Sequence, residues 1–217
     1  MNKTLSMEMK WNRSALLIID MQNDFAKPDG KAYIDRTTDV IENVAFLADT
    51  FRRNQIPVIH IVRLYLEDGS NAELSRKQII HQGKTMVVPE SRGAKILPEL
   101  LPPNAKKYTD TALLNSDIIQ ISPFDFVVYK PRWGAFYNTC LDFWLKNRKI
   151  NSLVISGCNF PNCPRTTIFE ASERDYRLAI VPDAISKIYP KGIDELKGIG
   201  VNVLEHSVLK KELENGK

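Results

Sequence analysis

Asp20, Lys130 and Cys163 lie far apart along the chain, yet each stands at or just beyond a short apolar run. Asp20 follows Ala15-Leu-Leu-Ile-Ile, and Lys130 follows Asp125-Phe-Val-Val-Tyr. Cys163 sits where Leu153-Val-Ile-Ser breaks at Gly157 and a helical pattern begins. A carboxylate, an ammonium and a thiol form a set suited to covalent acyl transfer. The sulfur attacks a carbonyl carbon, the carboxylate carries the proton from thiol to departing amine, and the ammonium steadies the charge. A helix start offers unpaired N–H groups and a positive dipole end, which favour thiolate over thiol at Cys163, as does Lys130. The backbone N–H groups of Cys163 and of the Cys158-Asn159 turn are the candidate oxyanion donors. Pro161 and Pro164 have none to give, and Pro164 suits the first helical turn. No histidine is required, and His60, inside an apolar strand, reads as a hydrogen-bonded core residue.

For these groups to meet, the elements carrying them must deliver them to one edge. Ala15 to Ile19, Pro57 to Val62, Asp125 to Lys130, Ser152 to Ser156, Arg177 to Pro182 and Val201 to Leu204 read as strands. Helical patterns cover Thr38 to Gln55, Asn138 to Arg148, Cys163 to Tyr176 and a short stretch near Ile193 to Lys197. Strand alternating with helix means an α/β fold, a mainly parallel sheet with helices on both faces, because parallel strands need crossovers. Sites in such sheets lie outside the carboxyl ends of the strands, where all three residues fall. Between Arg63 and about Asp117 the pattern blurs, with a short helix expected near Ala72 to Gln82. A segment of that length reads either as a lid or specificity wall or as a structural excursion.

With 217 residues, 43% hydrophobic and 26% charged, the chain is long enough for one well-buried core, and residues 1–217 read as a single domain. The net charge of +4 is spread among interleaved acids and bases, so no nucleic-acid partner is expected. The basic bias around Arg76, Lys77, Lys84, Arg92 and Lys95 reads as a solvated surface, with an anion or nucleic-acid site as the less favoured alternative. No segment approaches the ~20 apolar residues that cross a bilayer, and Met1 to Arg13 has no apolar signal core, so a soluble cytoplasmic protein is expected. Three cysteines, Cys140, Cys158 and Cys163, supply neither a disulfide framework nor paired zinc spacing.

The motifs Leu16-Leu-Ile-Ile-Asp-Met-Gln-Asn-Asp-Phe, Lys130-Pro-Arg-Trp-Gly-Ala-Phe-Tyr-Asn-Thr and Ser156-Gly-Cys-Asn-Phe-Pro-Asn-Cys-Pro-Arg-Thr-Thr resemble those of the isochorismatase-like cysteine hydrolases. That family includes nicotinamidases, N-carbamoylsarcosine amidase and ureidoacrylate amidohydrolase. The resemblance implies an Asp20-Lys130-Cys163 triad, a Rossmann-like three-layer α/β fold, a homo-oligomer and hydrolysis of a C–N bond in a small amide or carbamoyl compound. It also implies a cis peptide at Cys158-Asn159 that turns the Asn159 N–H toward the oxyanion. Asn159, Phe160, Pro161 and Pro164 depart from the usual family residues and reshape the pocket. The metal site of the nicotinamidase subgroup has no counterpart in His60-Ile-Val-Arg-Leu-Tyr, so neither metal nor cofactor is expected. Phe25, Trp133, Phe136, Tyr137 and Phe160 are candidate pocket walls, and Arg165, with Arg132, is a candidate for holding a substrate carboxylate. Two other readings stay open: a thiol redox protein using Cys158 and Cys163, or a non-catalytic binding protein on the same fold.

Overall fold

Apolar residues on both faces of the strands dictate the architecture. Along β1 (Ser14–Ile19) every residue is buried. Leu16 and Ile18 join one core layer, while Ala15, Leu17 and Ile19 join the other. A strand apolar on both faces belongs in the middle of a sheet covered on both sides. In the computed structural model, which describes residues 6–115 and 118–215, β1 is the central strand of a seven-stranded sheet ordered β3-β4-β2-β1-β5-β6-β7. Asp117 and the ends of the expected domain span lie outside the described residues. The other strands are β2 (Val58–Val62), β3 (Ile119–Gln120), β4 (Asp125–Tyr129), β5 (Ser152–Gly157), β6 (Arg177–Ile185) and β7 (Asn202–Val203). All pairings are parallel except β3 with β4.

The helices are α1 (Asn23–Ala26), α2 (Ile41–Arg53), α3 (Leu74–His81), α4 (Asp110–Leu114), α5 (Leu141–Asn147), α6 (Cys163–Ser172), α7 (Pro190–Gly198) and α8 (His206–Asn215). Val44, Leu47 and Phe51 of α2 and Leu209 and Leu213 of α8 cover one face. Leu141 and Leu145 of α5, Ile168 and Ala171 of α6 and Leu196 of α7 cover the other. This is the expected three-layer α/β fold. No described helix is long and apolar enough to cross a membrane.

Element boundaries differ from the sequence expectation for local reasons. The helix expected from Asn138 begins at Leu141, because Asn138 adopts φ +49° and Thr139 Oγ1 accepts the Leu141 N–H. The helix expected to reach Tyr176 ends at Ser172. Asp175 turns to φ +63°, and the Tyr176 N–H folds back to the Ala171 carbonyl, closing the helix terminus. Pro190, in the first turn of α7, starts that helix earlier than the apolar pattern alone indicates.

His60 has the core role read from the sequence. Its Nε2 lies 3.2 Å from Asp125 Oδ1. Arg52 donates to both oxygens of the same carboxylate. Burial alone would raise the Asp125 pKa, but hydrogen bonds from His60, Arg52 and Ser122 outweigh it and hold the group at about 2. This buried network ties α2, β2 and β4 together beneath the sheet edge that carries the site.

Candidate active site

The register of the sheet brings the reactive side chains level. Ile19 pairs with Ile61 of β2 and with Gly157 of β5, and Val62 pairs with Tyr129 of β4. One residue further along each strand stand Asp20, Cys158 and Lys130, and next to Val62 stands Arg63. The ladder continues into them: Asp20 N–H donates to Ile61 O (2.9 Å), Lys130 N–H to Val62 O (3.0 Å) and Cys158 N–H to Ile19 O (2.9 Å). Strands β4, β2, β1 and β5 are consecutive, so four neighbouring strand ends present their next residue to one place. The chain reverses its winding between β1 and β5, where a crevice opens in such sheets.

Gly157 lets these ends approach. Its φ of +106° is outside the range L side chains favour, and a Cβ there would lie 2.2 Å from the Ile19 carbonyl oxygen. Gly157→Ala is expected to cost about 3 kcal/mol or more, because the obstruction is backbone and cannot rotate away. Urea unfolding of the variant measures this, and a loss below 1 kcal/mol () would show that the two strand ends part easily.

Asp20 and Lys130 form a buried ion pair, Nζ to Oδ2 2.9 Å, with side chains 5% and 1% exposed. Lys130 Nζ also donates to Arg132 O at 3.1 Å. Burial pushes the Lys130 pKa down, the Asp20 carboxylate and the Cys163 sulfur push it up, and the net direction is up, so the amine is an ammonium. Asp20 Oδ1 is buried and accepts no hydrogen bond among the described residues. Asp20 itself adopts φ +52°, a left-handed conformation at the end of β1.

Cys163 opens α6 as its first residue and is buried. Burial opposes the thiolate that the helix start and Lys130 favour. Burial pushes the thiol pKa up to about 12, the Asp20 charge adds to the rise, and the opposing pull of Lys130 is too small to reverse it. At neutral pH Cys163 is a thiol beside an unpartnered carboxylate oxygen. The Cys158–Asn159 peptide is cis, as the resemblance implied. Among the described residues, neither the Asn159 N–H nor the Cys163 N–H donates to a protein acceptor, whereas the Phe160, Arg165 and Thr166 N–H groups do. Cys158 is also buried, and its thiol donates to the Asp20 carbonyl at 3.3 Å.

These groups line a cavity of about 80 Å³ together with Phe25, Ile34, Arg63, Tyr65, Arg76, Trp133 and Asn162. Of the expected wall residues, Phe25 and Trp133 are there. Phe136, Tyr137, Phe160 and Arg165 are not, and each has another commitment. Phe136 is buried in the core, its ring 5.8 Å from Tyr176. Tyr137 points to solvent, with the Arg132 guanidinium 5.9 Å from its ring. Phe160 is fully buried edge-on against Tyr189. Arg165 spends its donors on Tyr189 Oη and Glu195 Oε2, joining α6 to α7. Arg132 likewise donates to the carbonyls of Asn71 and Pro131.

Sequence reasoning missed Arg63 and Tyr65, and it singled out Arg76 only as part of a basic stretch. Arg63 could have been found by the rule that found Asp20 and Lys130, since it is the first residue past its strand. Arg76 was hidden in a basic stretch that reads as surface. Arg63 is held in place by donating to Lys130 O (2.8 Å) and Glu73 Oε2 (2.7 Å). Among the described residues no three His, Cys, Asp or Glu side chains gather as a metal-binding group.

An isochorismatase domain matches residues 14–205. The chain belongs to the isochorismatase family. A ureidoacrylate amidohydrolase of Methylobacterium radiotolerans is 30% identical over 189 residues, which is 82% of this chain and 69% of the relative. A probable inactive nicotinamidase of Arabidopsis thaliana is 29% identical over 201 residues, 90% of this chain and 93% of the relative. Among solved structures, an isochorismatase family protein from Desulfovibrio vulgaris superposes with a TM-score of 0.78 at 30% identity, covering 93% of this chain and 98% of that one. In this chain the family's domain carries an acid, an ammonium and a thiol at one strand edge.

Proposed function

We propose that this protein is a metal-independent cysteine hydrolase that cleaves a C–N bond, other than a peptide bond, in a small amide or carbamoyl compound. The observation that carries this reading is the buried Asp20 Oδ1, which has no hydrogen-bond partner among the described residues, in the cavity that Cys163 and Lys130 also line. A thiol held neutral needs a base within reach when the substrate arrives, and Asp20 is that base. The family's amidohydrolase relatives support the same bond class. With Lys130 paired to Asp20 and Arg63 to Glu73, Arg76 leaves the cavity wall one surplus positive charge, which disfavours a divalent metal there.

Asp20 takes the thiol proton as the sulfur bonds to the carbonyl carbon, and the C=O pair moves onto oxygen. The N–H groups of Asn159 and Cys163 receive that oxyanion, and Lys130 keeps the charge of the pocket balanced. Asp20 then returns its proton to the nitrogen, the C–N bond breaks, and ammonia or an amine departs from a thioester. Water, losing a proton to Asp20, attacks the thioester carbon. The acid leaves, and the proton goes back to sulfur. Phe25 and Trp133 wall the acyl group, and a cavity this small admits a compact amide or ureido group rather than an extended chain.

Brief exposure of the protein to a panel of small amides and ureido compounds, followed by acid quench and intact-mass measurement, tests the reading. The expected result is ammonia release for at least one compound and a mass increase equal to its acyl group, mapped to Cys163. Turnover with the adduct on another residue, or with none under conditions where hydrolysis of the thioester is slowed, would sink it.

A further inference from the structure

The charged groups around the cavity do not cancel. Lys130 is matched by Asp20. Arg63 is matched by Glu73, whose two oxygens accept from Arg63 and Tyr65 at 2.7 Å each. Arg76 remains. Its Nε is 3.9 Å from Glu73 Oε1, too long for a hydrogen bond, and its guanidinium donates no hydrogen bond among the described residues. The Arg76 side chain is 31% exposed and lines the cavity, with its Cζ 5.6 Å from the centre of the Trp133 ring. One surplus positive charge therefore faces the substrate space, on a planar fork with free donors, supported over an aromatic wall that excludes water from one side.

Helix α3, which carries Arg76, is fixed from beneath. Glu73, immediately before it, is buried and ties it to β2 through Arg63 and to Tyr65. Arg76 contributes nothing comparable to that anchorage, so its position is determined by neighbours while its own donors stay open. A residue held in this way is poised for a ligand group.

We infer that Arg76 is the anion-binding residue of the cavity and that the substrate bears a single negative charge, a carboxylate, at the end opposite the scissile carbonyl. The inference rests on the hydrolase reading above for the position of the scissile group. It assigns the segment after β2 the role of specificity wall, within the same subunit that supplies Cys163.

Alkylation of Cys163 by matched charged and neutral reagents tests this without a known substrate. Two pairs of different reach serve: iodoacetate with iodoacetamide, and 3-iodopropionate with 3-iodopropionamide. Modification is mapped to Cys163 by peptide mass. For at least one pair, the ratio of acid rate to amide rate in the wild type is expected to exceed that in Arg76→Gln by about tenfold or more, with Arg76→Lys intermediate. Because α3 is anchored through Glu73, Arg76→Gln is expected to retain the wild-type unfolding midpoint. Equal ratios in wild type and Arg76→Gln for both pairs, with Cys163 modified, would overturn the anion site and leave the hydrolase standing. Failure of all four reagents to modify Cys163 would overturn both.

Discussion

Cys163→Ala is expected to lower turnover by at least about 10⁴-fold while leaving the fold intact. In the proposed mechanism the sulfur is the atom that bonds to substrate, and removing it leaves the cavity without its nucleophile. Cys158, the other thiol there, already donates to the Asp20 carbonyl. Cys158→Ala should accordingly keep turnover within about tenfold of wild type. Equal losses in the two variants would favour a paired-thiol redox role instead. Stability in alkali gives an independent reading. A thiol of ordinary pKa, 9.0, ionises in the unfolded chain well before the folded one does at about 12. The folded state therefore holds more protons between those values, and Cys163 withdraws stability as pH rises through that window. Below pH 9 this contribution is constant. Urea unfolding of Cys163→Ala should show a shallower decline from pH 9 upward than wild type. Identical slopes would mean that the sulfur is not held as a buried thiol.

Lys130→Met is expected to remove both activity and a large part of the stability. The ammonium is fully buried and is the hydrogen-bonding cation on the Asp20 carboxylate. Removing one partner of a buried pair leaves the other charged and uncompensated, which costs about 3–5 kcal/mol. Replacing both partners by uncharged groups of similar shape removes that penalty. The double variant Asp20→Asn, Lys130→Met should therefore recover most of the unfolding free energy lost by Lys130→Met while remaining inactive. That contrast separates a catalytic role from a structural one. Recovery of turnover together with stability would place the pair in the scaffold alone. A single variant as stable as wild type would show that Asp20 is not charged in its burial site.

The frame of this fold was legible because the strands are uniformly apolar and end abruptly. Ala15 to Ile19 stops at Asp20, Asp125 to Tyr129 stops at Lys130, and parallel pairing then leaves few places for those residues to go. The same pattern hid other features. The two-residue strand β3 and the five-residue helix α4 are too short to show periodicity. The cavity wall was the least readable part. Phe136, Tyr137 and Phe160 flank reactive residues in sequence, but adjacency along a chain does not fix direction, and core packing or solvent claimed each of them. Arg165 carries the right chemistry and spends it on Glu195. Conversely, Arg76 looks like one of many surface cations until α3 is folded over the strand edge. Desolvation by full burial offsets what a helix start and one lysine offer the Cys163 thiolate, and burial of that degree is not written in the local sequence.

The order of strands along the edge also separates two properties that evolution must adjust independently. The proposed reacting groups follow β4 and β1 and the turn after β5, whereas Arg63 and the helix carrying Arg76 follow β2, which lies between β4 and β1. Descendants of one ancestral catalyst could exchange the β2 excursion, residue by residue, and acquire new preferences without disturbing the reacting trio. The most variable property of such a lineage would then be the charge of what it accepts, and the most persistent the bond that it breaks.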